Sequence, residues 1–150
     1  MNEKPTEKLT GARHRGLLLI WGAQFSALFM FFLLTQFVGG GTRADKSETL
    51  LLALGATGLT TVALSFLLKP RLIAQAARER RADLVTTGYV LAFALCEACA
   101  LFGLVAHFAT GARESPYFFI PAALGLLLHF PRRAHFSDPP PASAGFTGAA

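Results

Sequence analysis

Two apolar runs, each too long to be hidden inside a soluble domain of this size, constrain the fold most. No charged residue occurs between Gly16 and Thr42, and from Leu84 to Ala112 the only charge is Glu97, close to the midpoint. At ~1.5 Å per helical residue, either run is long enough for a hydrocarbon core ~30 Å thick. Backbone polar groups inside a bilayer must be satisfied within their own segment, which favours helices. The reading is an all-α integral membrane bundle of four transmembrane helices, near 17–38, 50–68, 84–110 and 117–130.

Composition agrees. The 150 residues are 53% hydrophobic and 15% charged, against roughly a quarter charged in ordinary soluble domains. The net charge is +5, but the bases flank apolar spans instead of forming a soluble basic face, so no nucleic-acid partner is expected. The basic leader 1–15 followed by an apolar run also describes a signal peptide. The run is longer than an h-region and no A-x-A site follows it, so a retained helix is expected, ended by Gly39-Gly40-Gly41. The membrane domain is read as 16–133, and the Pro-, Ala- and Gly-rich tail 134–150 as disordered.

Lysine and arginine set the orientation. All but three of the 14 bases fall in the N-terminus, in 69–83 or after residue 130; the exceptions are Arg43, Lys46 and Arg113. This places both termini in the cytoplasm, in the cell inner (cytoplasmic) membrane. Lys69-Pro70-Arg71 is expected to close the second span. The following Leu72–Asp83 reads as a helical extension of the third, where Arg78, Arg80 and Arg81 would meet anionic lipid headgroups. The fourth segment is short, about 21 Å for 117–130, and Pro121 predicts a kink.

Plotted at 100° per residue, Gly88, Ala92, Cys96, Cys99, Gly103 and Ala106 form one stripe of small side chains on the third span, a helix-packing groove of the kind membrane helices use. The stripe absorbs both cysteines, whose C-x-x-C spacing otherwise suggests redox or metal chemistry; no further ligand set surrounds them, and no metal or cofactor is expected. Glu97 lies to the side of the stripe. A carboxyl at that depth costs about 2.5–3.5 kcal/mol on insertion scales, so it needs a partner, a proton or a task. Protonated, it could bond Gln24, Thr57, Thr60 or Thr61 on neighbouring helices; alternatively it binds and releases a proton or cation. His107 and His129 are read as interfacial and Trp21 as packing. No nucleophile–base pair or phosphate loop is visible, so an enzyme is not expected.

A faint internal repeat sets Gln24 over Glu97, with Ala-Leu-Phe following at 27–29 and 100–102. Pro70-Arg71 and Pro131-Arg132 close the second and fourth spans alike. Two related hairpins of one orientation are one reading, and chance matching of apolar runs is the other.

The run Glu97-Ala98-Cys99-Ala100-Leu101-Phe102-Gly103-Leu104-Val105 resembles the acid-bearing helix of the rotary ATP synthase proteolipid, subunit c, which implies Glu97 as an ion-binding carboxyl. The likeness is confined to these residues. The proteolipid's dense glycine run is represented only by Gly55 and Gly58, and its short Arg-x-Pro loop by a longer Arg-rich segment. The chain also resembles small uncharacterised four-span bacterial membrane proteins with a Glu in the third span and Phe-Pro-Arg after the fourth, here Phe130-Pro131-Arg132. That likeness implies no particular activity. The expected role is therefore a structural or accessory subunit, working as a homo-oligomer or within a larger membrane complex. Proteolipid-like proton or sodium translocation through Glu97 is the alternative.

Overall fold

In the computed structural model, which describes residues 5–39 and 47–132, every regular element is helical. Helix α1 runs Pro5–Phe37, α2 Ser47–Glu79, α3 Ala82–Thr110 and α4 Phe119–Leu128; a 3-10 turn, Ser115–Phe118, leads into α4. Three of the helices are long and apolar enough to cross a membrane. The tail 134–150, the loop bases Arg43 and Lys46, and Gly40 and Gly41 lie outside the described residues.

Helix α3 is the centre, and α1, α2 and α4 all pack on it, α2 most extensively. Its inward face carries Tyr89, Phe93, Cys96 and Ala100, all fully buried, at the i, i+4, i+7, i+11 spacing of one helical stripe. Helix α1 contributes His14, Leu17, Trp21, Leu28, Phe31 and Thr35, which lie on a three-and-four seam. Its remaining surface is apolar and open, with Leu19, Phe29, Met30 and Phe37 exposed. Such a face is stable only in contact with lipid or another protein.

Two boundaries differ from the sequence reading. Residues 72–79 extend α2, not the third span, because Pro70 is accommodated inside an unbroken helix. The break falls at Arg80, a non-glycine residue in the left-handed region (φ 53°), where the Arg81 amide donates to Ala76 O at 3.0 Å and closes the helix end. Pro121 makes no mid-helix kink: α4 starts at Phe119, so the proline sits in the first turn, where backbone N–H groups have no intrahelical acceptor in any case.

The shortness of the fourth segment also has a structural basis. After Gly111 caps α3 in the left-handed conformation (φ 63°), the chain folds back into the bundle, burying Ala112 and Ser115. Its polar groups are answered locally. Thr110 Oγ1 accepts from the Ala112 amide at 3.1 Å, Ser115 Oγ donates to Ala112 O at 2.9 Å, and the Tyr117 amide donates to Glu114 O. Non-helical backbone at depth is tolerated when it is enclosed by protein in this way. Phe118 arrives against Gly55 of α2 and Gly103 of α3, about 10 Å along α3 from its Thr110 end.

Candidate functional site

All six residues of the small stripe face inward. Gly88, Ala92, Cys96, Cys99, Gly103 and Ala106 are buried, and their contacts are within this chain. A Cβ on Gly103 would stand 2.6 Å from Phe118 Cβ, and one on Gly88 would stand 3.3 Å from Leu72 Cβ. The groove is thus occupied by α2 and by the turn before α4. Cys99 donates its thiol to Phe118 O at 3.6 Å. Both cysteines are free, and no group of His, Cys, Asp and Glu able to hold a metal occurs among the described residues.

Glu97 occupies the other side of α3. It is half-buried, beside exposed Val90, Ala94 and Leu101, and forms no hydrogen bond or ion pair among the described residues. The residues grouped with it in the sequence are not joined to it. Thr57, Thr60 and Thr61 donate to Ala53 O, Ala56 O and Gly58 O of their own helix, the usual way a hydroxyl is satisfied inside an apolar helix. Gln24 is half-buried on the α1 seam and likewise has no hydrogen bond.

The buried polar chemistry lies at the ends of the bundle, in residues the sequence did not single out as partners. Ser65 of α2 is fully buried, and His129, directly after α4, is 3% exposed. Their Oγ and Nε2 atoms are 2.8 Å apart. His129 is therefore enclosed by protein at this end of the bundle. The pair resembles a nucleophile and its base, but the proton runs the other way: Ser65 has one hydroxyl proton and lies 2.6 Å from Val62 O, so it donates there and accepts from His129 Nε2–H. Around it, Lys69 Nζ stands 4.0 Å over the Tyr89 ring, the Arg132 amide donates to Tyr89 Oη at 3.3 Å, and His14 Nε2 donates to Pro131 O at 3.3 Å. Trp21, read as packing alone, also donates Nε1–H to Leu126 O at 2.9 Å. These bonds hold α1, α2 and α4 together at the end bearing Arg13, Lys69, Asp83 and Arg132.

At the opposite end His107 joins three segments. Its Nε2–H donates to Val38 O at 2.9 Å, and Nδ1 lies 3.2 Å from Ser115 Oγ. The periodic pattern hints at these anchors only faintly: each is a polar side chain on an otherwise apolar face, and nothing local specifies its partner.

Of the collar arginines, Arg78 and Arg80 are exposed. Arg81 is engaged by Asp83, with Nη2 2.7 Å and Nε 3.4 Å from the two carboxylate oxygens, and by Glu79 at 3.8 Å. The hydrogen bond to Asp83 holds the Arg81 guanidinium pKa above its ordinary value.

The geometry is that of a small helical protein with three membrane-length helices, closed by its own side chains and carrying, midway along one of them, a half-buried carboxyl without a partner among the described residues. No known protein family, curated protein or solved structure matches the chain.

Proposed function

We propose that the chain is a structural or accessory subunit of a membrane assembly, with four spans and cytoplasmic termini in the inner membrane. The observation that carries this reading is Glu97: the buried side-chain polar atoms among the described residues are all satisfied, while this half-buried carboxyl on a membrane-length helix has no partner among the described residues. A hydrogen-bonding group on a second copy or a neighbouring subunit would offset the cost of holding it there. A non-catalytic role is supported by the commitment of the Ser65 hydroxyl proton to Val62 O and by the burial of the Ser65–His129 pair. Native mass spectrometry from lipid nanodiscs tests it. Wild type and Glu97→Gln should be recovered as a homo-oligomer or with a co-purifying subunit, and Glu97→Leu should dissociate. A monomer in all three overturns the reading.

The position of Glu97 beside exposed apolar residues also favours a second function, proton or sodium translocation, since an ion could reach the carboxyl from outside the bundle. Under this reading a hydrophobic carbodiimide labels Glu97, the coupling ion protects it, and Glu97→Gln stops ion flux in proteoliposomes. Equal flux in wild type and Glu97→Gln eliminates it.

A further inference from the structure

Away from Glu97 and the buried anchors, an open groove of about 640 Å³ runs along the first half of α3, with Arg13 of α1 at its edge. Its lining changes character along its length. Arg13 and Asp83 stand at one end, Thr86 and Thr87 follow, and the exposed Val90, Leu91 and Ala94 form its apolar end.

The charges at the polar end are unequal in availability. The Asp83 carboxylate is held on both oxygens by Arg81. Among the described residues, Arg13 is exposed and makes no ion pair or hydrogen bond. The Thr87 hydroxyl donates to Asp83 O at 3.1 Å, whereas the half-buried Thr86 hydroxyl has no partner among the described residues. The polar end therefore offers one uncommitted guanidinium and, one turn along α3, one uncommitted hydroxyl. From Asp83 to Ala94 the helix rises about 16 Å, close to one leaflet of a ~30 Å hydrocarbon core.

We propose that this groove binds one anionic phospholipid. The phosphodiester pairs with Arg13, an ester carbonyl accepts from Thr86 Oγ1, and an acyl chain lies along Val90, Leu91 and Ala94. A guanidinium suits a phosphate because its N–H donors are arranged to meet two oxygens at once. The arginine collar differs: Arg78 and Arg80 are solvated charges with no apolar channel beneath them in this groove, so they attract anionic headgroups without selecting one molecule. The inference needs the helices to lie in a bilayer but does not depend on assembly with another subunit.

Native mass spectrometry of the full chain in detergent, titrated with phosphatidylglycerol or with phosphatidylcholine carrying the same acyl chains, tests it. Wild type should retain one phosphatidylglycerol at least about fivefold better than phosphatidylcholine, the effect expected of one basic side chain near a lipid phosphate. Arg13→Gln should abolish that preference, Ala94→Trp should weaken both lipids by obstructing the apolar end of the groove, and Arg80→Gln should leave the preference intact. Glycerophosphoglycerol, the headgroup without acyl chains, should not be retained. Equal lipid binding by wild type and Arg13→Gln, a preference lost through Arg80→Gln instead, or retention of the bare headgroup overturns the site. A dimer that excludes lipid and is broken by Ala94→Trp assigns the groove to a second copy and also overturns it. A monomer carrying one phosphatidylglycerol refutes the assembly role and leaves the lipid site standing.

Discussion

The two sides of α3 carry their polar atoms under opposite conditions. On the stripe side, Cys96, Cys99 and Gly103 are sealed against α2, α4 and the turn before it, and the neighbouring Ser65 and His129 satisfy each other. On the other side Glu97 stands half-buried beside exposed Val90, Ala94 and Leu101, with no partner among the described residues. The side that looks from the sequence like an oligomerisation groove is used to build the monomer. The side with the carboxyl is the one open at the surface of the chain, where the proposed partner would dock. Small residues allow close approach, but they do not specify whether the helix that approaches belongs to the same chain.

Substitutions should separate the two sides by size of effect, read as unfolding free energy in mixed micelles of dodecyl maltoside and SDS. The largest loss is expected for Gly103→Leu, because any Cβ there meets Phe118 at 2.6 Å and the turn must move; overpacking of this kind costs about 2–3 kcal/mol. A wild-type midpoint would show that the turn before α4 yields freely and that the stripe is not sealed. Ser65→Ala comes next. It leaves His129 Nε2–H without its 2.8 Å acceptor, at about 1–3 kcal/mol. A double-mutant cycle with His129→Leu should recover part of that loss, and purely additive effects would break the assignment of the pair.

Cys99→Ala should cost about 1 kcal/mol, comparable to deleting one buried methylene, since its thiol contacts the Phe118 carbonyl at 3.6 Å. The smallest effect is expected for Glu97→Gln, within about 0.5 kcal/mol, as for surface substitutions that break no contact. A loss as large as that of Ser65→Ala would show that Glu97 has a partner inside the monomer and erase the contrast between the two sides.

How much of this was readable beforehand follows the range of the interactions. Pro121 and Pro70 illustrate the middle ground. Both are visible punctuation, yet the first falls harmlessly in an opening turn and the second is absorbed by an uninterrupted α2, because a proline removes only one donor and neighbouring contacts decide whether the helix continues. The proposed pairing of the two hairpins gains no common geometry: α2 has 33 residues and α4 has 10, and Pro70 lies within its helix whereas Pro131 follows one.

The sequence by itself determined that the chain is helical, that it carries segments of membrane length, three of which the structure shows as long apolar helices, and that one carboxyl falls near the middle of one of them. Those properties depend on apolar content and on i to i−4 hydrogen bonding, which act within a segment. Only the tertiary structure decided the rotation of each helix about its own axis. That rotation brings Ser65 to His129, 64 positions away in the chain, seats Phe118 against Gly103, and turns Glu97 to the outer rim. A helical pattern states which residues share a face; the packing of several helices together fixes what that face meets.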